Sequence, residues 1–415
     1  MNLQSCIKLA HGRCVTPEET IARLEDLLAR RHGYWIHEER VHDLLHWSAL
    51  FLDADPDFRA MGKGTTAALS RAGALAEAAE SLTALPVTAL RGYRFAPQEE
   101  VGDAVGLEEL LPHVASATPA VLEKIRRLDS ARHWVEGISL MDGRARMVPV
   151  EYVRQISGPN GRASGNRREE AVVHAIAEIF ERRAHVTVLR NRMIVPTIDP
   201  ATIRHPVIRR QLEFIAARGV EVVLKDLSFG GELPCVGAYF FDPRIPAEFQ
   251  FHHFFKAGAS FDREEAMIRV LTEYTQGRRP EDFIDGSAAG VERVLRADFR
   301  RLRTVGDDCD NFLSSFMFGM VPYRNAAFLR AGDVVPFDPG QPCADCLLDI
   351  ELARSICVKL GRDLIAVDFT DPDGGFPVVQ VIVPGYSDVL PFHPASSPVL
   401  FAPVTRSAVL EAFQA

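Results

Sequence analysis

Apolar residues recur three or four positions apart in TPEETIARLEDLLARR (16–31), the spacing of one helix face. Thr16 can cap this helix, Pro17 suits its first turn, and Glu19 completes a capping box. GYWIHEERVHDLLHWSALFL (33–52) has a mixed pattern that predicts no single element. Gly62-Lys63-Gly64 reads as a turn into an alanine-rich helix, TAALSRAGALAEAAESLTAL, which Pro86 ends. Residues 97–135 are acidic and helix-prone and read as a helical insertion, and MVPVEYV (147–153) reads as a strand. PNGRASGN (159–166) is a second glycine turn, before the strong helix EEAVVHAIAEIFERRA (169–184). VEVVLKDLS and PCVGAYFFD read as strands parted by Gly230-Gly231. GASFD (258–262) opens a helix from about Glu264 to Arg278, and residues 280–345 read as an irregular insertion. LLDIELARSICVKLG is a helix, and LIAVDF and VVQVIVPG are strands. Strands and helices alternate without the spacing of a doubly wound sheet, so the expectation is one α+β domain over 1–415, its core motifs at about 60–280 and 350–395.

One unit recurs: a glycine-containing turn leads three times into a helix of small or apolar residues that carries glutamates. At ~100° per residue, Glu77 and Glu80 lie about 60° apart on one face. Glu170, Glu178 and Glu181 share a face of the second helix, and Arg269, Glu273 and Gln276 fall within a ~60° arc of the third. Like charges on one face repel, and burying them without a partner costs several kcal/mol, on the order of 3. Magnesium resolves the conflict, because it takes carboxylate oxygens and bridges to phosphates. Glycine turns at helix starts can offer N–H groups to phosphate oxygens. The pattern therefore suits ATP with more than one magnesium. The other reading is a set of solvated faces, with Glu178 paired to Arg182 and Asn166 merely a cap. Walker, GxGxxG and GxSxG fingerprints are absent.

Composition narrows the partners. A net charge of -9 over 415 residues gives no electrostatic reason for nucleic acid or an anionic membrane as main partner. No stretch approaches the roughly 20 apolar residues of a membrane span, and MNLQSCIKLAHGRC has no signal-peptide core, so a cytoplasmic location is expected. Seven cysteines argue against a secreted disulfide framework. Cys343 and Cys346 form a CxxC without a second pair and read as ordinary thiols, with a metal or redox role as the alternative.

Three blocks in order resemble the YcaO family over most of the chain. They are Gly62-Lys63-Gly64 with Glu77 and Glu80; Asn160, Gly161, Gly165 and Asn166 with Glu170-Ala171, Glu178, Glu181 and Arg182; and Arg269, Glu273, Gln276 and Arg278. SFGGELPCVG, LTEYTQGR and VIVPGYSDVLPF place the resemblance nearest the branch that gives the family its name. The resemblance implies an α+β fold with internal pseudo-symmetric units around a central ATP site. It implies Glu77, Glu80, Glu178 and Glu181 as magnesium ligands, and Arg13, Thr20, Lys63, Asn166, Glu170, Arg269 and Glu273 as nucleotide contacts. Glu77, Glu178 and Arg269 are the expected catalytic residues. The implied chemistry is O-phosphorylation of a peptide backbone amide, after which a nucleophile adds and phosphate departs with the former amide oxygen.

Azoline-forming members end in a proline-rich tail, whereas this chain ends PVTRSAVLEAFQA, so a thioamide or related change is expected. Where members often have histidine near the third block, this chain has Ser260. A peptide or protein substrate is expected, brought by a separate TfuA-like or peptide-recognition partner. A homodimer is left open. The alternative is an ATP-binding accessory protein that supports another modifying enzyme, such as one for ribosomal protein methylthiolation.

Overall fold

The computed structural model describes residues 1–110, 132–150, 159–231, 233–247, 252–278 and 323–387, with a few isolated positions between. The first helix, α1 (Pro17–Ala29), starts as the sequence dictates. Thr16 Oγ1 accepts from the Glu19 N–H, and the Glu19 carboxylate accepts from the Thr16 N–H at 2.9 Å.

The mixed pattern of 33–52 becomes two strands of an antiparallel sheet, β1 (Tyr34–His42) and β2 (Leu45–Leu52), with β3 (Arg59–Gly64) as the third. No alternation was visible because β2 is buried on both faces. Leu45, Trp47 and Ala49 enter one core, while Leu50 and Leu52 enter another beneath α1 and α2 (Ala67–Leu82). Gly62–Gly64, expected as a turn, is the end of β3.

A six-stranded sheet runs in the order β4 (Arg94–Ala96), β5 (Arg132–Ser139), β13 (Ile365–Asp368), β14 (Val378–Ile382) and β7 (Arg162–Ser164), with β6 (Ala145–Pro149) also paired to β5. Its strand β5 begins inside the stretch expected to be a helical insertion, and Trp134 and Val135 are fully buried there. Residues 111–131 of that stretch lie outside the described residues. Most of 280–345 also lies outside them.

A five-stranded sheet runs in the order β11 (His253–Ala259), β10 (Cys235–Phe241), β9 (Glu221–Asp226), β8 (Thr197–Asp199) and β12 (Val334–Pro336). The 24-residue helix α3 (Arg168–Asn191) packs on β7 and β14 of one sheet and β10 and β11 of the other. Burial on nearly all sides explains its run of Ala, Val and Ile, all in the largest core. Helix α4 (Pro206–Ala216) packs on β9, α5 (Arg263–Glu273) on β10 and β11, and α6 (Cys346–Leu360) against α3. This is the mixed α+β architecture the sequence predicts. Among the described residues no helix is long and apolar enough to cross a membrane.

Three strand–turn–helix units bear on the site: β3 into α2, β7 into α3 and β11 into α5. In each, a glycine lets the strand lie against the following helix. A Cβ on Gly62 would collide with the Ser70 carbonyl oxygen and the Ala74 nitrogen. One on Gly165 would lie 2.6 Å from Ala171 N, and one on Gly258 2.5 Å from Ala266 O. The obstacles are backbone atoms, which cannot rotate away. Gly62→Ala is therefore expected to destabilise the protein by about 3 kcal/mol through overpacking, read as a fall in thermal midpoint. An unchanged midpoint would show that α2 can shift at no cost.

Candidate functional site

Each of the three units delivers a carboxylate at the same helical position. Glu77, Glu178 and Glu273 are the eleventh residues of α2, α3 and α5. One turn on come Glu80, Glu181 and, in the third unit, Gln276. Between these helices lies a cavity of about 540 Å³. It is lined by Arg13, Thr20, Lys63, Glu77, Glu80, Asn166, Glu170, Glu178, Glu181, Arg269 and Glu273, so every site residue singled out from the sequence meets in one place.

Three of these carboxylates, Glu77, Glu80 and Glu178, are held against ionisation. Burial raises Glu80 to about 8, and the Glu178 charge adds to it. Burial raises Glu178 to about 7; Arg182, 3.7 Å away, opposes the rise while Glu181 reinforces it. Burial also raises Glu77, against a backbone hydrogen bond from Met61 and the charge of Lys63. Glu181 accepts from the Ala259 N–H at 3.3 Å.

The third unit is neutralised from within. Burial would raise Glu273, but Lys63 and Lys256 hold its carboxyl far below the usual range. Lys63 forms an ion pair with one carboxylate oxygen and Lys256 approaches the other at 3.6 Å. Lys63 Nζ also donates to Gln276 Oε1 at 3.4 Å.

The opposite end of the cavity is built at the starts of α3 and α5. Glu170 Oε1 accepts from Arg13 at 3.2 Å and from Asn166 Nδ2 at 3.1 Å, and Oε2 accepts from the Cys14 N–H at 3.0 Å and the Cys14 thiol at 2.8 Å. Burial alone would raise Glu170, but Arg13 and Cys14 outweigh it and hold the carboxyl below its usual range. Thr20 exchanges hydrogen bonds with the Asn166 amide. Glu265, beside the His11 ring at 3.3 Å, is also held low despite burial. Burial, Arg13 and Arg269 keep His174 well below its ordinary value, so it is neutral.

His11, Cys14, Lys256 and Glu265 did not stand out in the sequence. For Glu265 a signal existed: Arg-Glu-Glu-Ala at 168–171 recurs at 263–266, so Glu265 stands where Glu170 does. The cysteines also come together unexpectedly, with the Cys6 thiol beside those of Cys14 and Cys346. Burial raises Cys6 and Cys346 to about 12, which keeps both protonated.

A cation fits the acidic end on chemical grounds. Burial and the charge of Glu178 raise Glu80, and burial and Glu181 raise Glu178 against the pull of Arg182. Among the described residues no three His, Cys, Asp or Glu side chains converge tightly enough to cage a metal alone. Magnesium bound with a nucleotide does not need such a cage, since one or two carboxylates, phosphate oxygens and water complete its shell.

Fold and cavity together define a mixed α+β protein with an acidic site flanked by arginine. Family comparison carries this further: the YcaO cyclodehydratase profile, ATP- and Mg2+-binding, matches residues 61–387. The chain belongs to this family, and ATP and magnesium are its cofactors. An uncharacterized protein of Methanothermobacter thermautotrophicus is 28% identical over 405 residues, which cover 90% of this chain and 95% of that protein. The ribosomal protein S12 methylthiotransferase accessory factor YcaO of Escherichia coli is 29% identical over 252 residues, 60% of this chain and 40% of that protein. The structure of YcaO from Methanopyrus kandleri bound with AMPPCP and Mg2+ has a TM-score of 0.62 at 21% identity, covering 92% of this chain and 95% of that one.

Proposed function

We propose that the protein uses Mg-ATP to phosphorylate a peptide backbone amide oxygen, preparing that amide for replacement of its oxygen in a thioamide or related change. The observation that carries this reading is the set of carboxylates on α2 and α3 that line one cavity, Glu80 and Glu178 raised by burial and by neighbouring glutamates, with Arg269 on the same cavity wall. Glu77, Glu80, Glu178 and Glu181 hold the metal. Arg13, Thr20, Lys63, Asn166, Glu170, Arg269 and Glu273 surround the nucleotide. Magnesium, when bound, would neutralise charge on the phosphates, and transfer of the phosphoryl group to the amide oxygen would let that oxygen depart as part of phosphate. Arg269 contributes a fixed positive charge where negative charge moves during transfer. Lys63 stays anchored on Glu273, so its charge is positioned before any ligand arrives. A separate partner protein delivers the peptide.

The similarity to the Escherichia coli accessory factor favours a second reading, in which the same site binds ATP in support of another modifying enzyme. Heavy oxygen separates the two. A cognate peptide labelled at the modified carbonyl is expected to pass one label per turnover to phosphate. Unlabelled phosphate from a reaction that does modify the peptide would reject amide phosphorylation and favour the accessory role.

A further inference from the structure

His11 and Gly12 form a left-handed turn ahead of Arg13. The His11 φ of 60° and ψ of 27° are left-handed, and Gly12 follows at φ 67°. Glycine takes this region freely, but histidine is strained there, and strain of this kind persists only where surrounding structure holds it. Here the two left-handed residues turn the chain so that His11 and, two positions on, Arg13 both line the cavity. The ring is held through Nδ1 by the buried Glu265 carboxylate at 3.3 Å. Among the described residues its Nε2 makes no protein hydrogen bond. A carboxylate on one ring nitrogen fixes the tautomer and orientation of the other.

Helix geometry says what the ring faces. Glu265 is the third residue of α5 and Glu273 the eleventh. Eight residues at a rise of 1.5 Å separate them by about 12 Å. The same interval separates Glu170 from Glu178 on α3. Glu265, which holds the His11 ring, therefore lies about 12 Å along α5 from Glu273.

We infer that His11 is a nucleoside-recognition residue, oriented by Glu265 as a positioning residue, and that it contacts the ribose or base of the bound nucleotide. The inference rests on the Mg-ATP reading of the cavity. Other charges around the ring are Arg13, on its own segment, and Arg269, which faces Glu265 from α5.

Calorimetric titration of the full chain with ATP and with inorganic tripolyphosphate, both with excess magnesium, tests it. His11→Ala is expected to weaken ATP about tenfold, a loss in the range of one charge-assisted hydrogen bond, and to leave tripolyphosphate unchanged. His11→Asn, which tolerates the left-handed region, should show the same split and guards against simple misfolding. Glu265→Gln should weaken ATP but not tripolyphosphate, and the double variant with His11→Ala should lose nothing further. Equal loss for both ligands, or no loss for ATP, would overturn the nucleoside role while leaving the carboxylate site intact. A wild-type protein that binds neither ligand would overturn the Mg-ATP reading itself, and this role with it.

Discussion

Glu178→Gln is expected to lower ATP turnover by about a hundredfold to a thousandfold while leaving the fold intact. The proposed metal site loses a ligand whose charge matters most when phosphate charge moves, and single electrostatic groups of this kind contribute about 10²–10³ in rate. Glutamine has nearly the shape of glutamate. It also removes one of the charges that burial and Glu181 disfavour. The thermal midpoint should therefore hold or rise, since relieving a like-charge cluster does not destabilise it. Glu77→Gln should behave alike, and turnover with thermal melting of both variants checks the pair. An unfolded variant would mean that these glutamates are structural partners of Arg182 and Lys63. Turnover within tenfold of wild type would remove the carboxylates from the chemistry.

Without metal or nucleotide, stability is expected to fall as pH rises from 6.5 to 8. Glu80 at about 8 and Glu178 at about 7 both lie above the ordinary carboxyl value of 4.5. Their folded forms keep protons that the unfolded chain has released. Their contribution is complete below about 4.5 and is lost as pH rises through the folded values. The steepest loss is about 1.4 kcal/mol per pH unit for each proton difference. His174, His185 and His253, lowered by burial, act with the opposite sign, but on the acid side of their ordinary value of 6.5. Lys225, lowered by burial to about 8, acts mostly above the window. Within it the carboxyls dominate, with His11 adding in the same direction. Mg-ATP should flatten the fall, and Glu80→Gln should remove much of it. Thermal melts in EDTA and in Mg-ATP, at pH 6.5, 7.2 and 8, measure this. A flat profile in EDTA would show that the glutamates are solvated rather than buried together.

The site was legible because helix periodicity is local. Glu77 with Glu80, and Glu178 with Glu181, must share faces whatever the rest of the chain does. Their convergence on one cavity, however, came from the family resemblance, since spacing alone left solvated faces open. What the glycines do was misread at Gly62 and Gly258. Both allow a strand and helix to touch, and a one-dimensional pattern does not distinguish this from a phosphate-binding turn. β2 escaped because a strand buried on both faces has no polar alternation. β5 escaped because RHWVEGIS follows an acidic stretch with helical propensity, and only its neighbours in the sheet decide its state. His11 and Lys256 acquire meaning only from partners on distant segments, Glu265 and Glu273.

The segment that carries His11 and Arg13 is fastened to the start of α6. Ser5 and Cys6 bond to Asp345, Lys8 reaches the buried Asp349 at 2.6 Å, and Ile7 bridges Asp345. These contacts join residues about 340 positions apart. A ribosome adds roughly 5–20 residues each second, so tens of seconds pass between making the two halves of this clasp. The earliest residues of the nucleotide end are thus among the last to be seated. Nascent chains can assemble the α2–α3 carboxylates well before that clasp closes. Maturation of the cavity is accordingly tied to synthesis of residues 345–349, and a chain stalled before residue 345 would lack this clasp on the segment that carries Arg13 and His11.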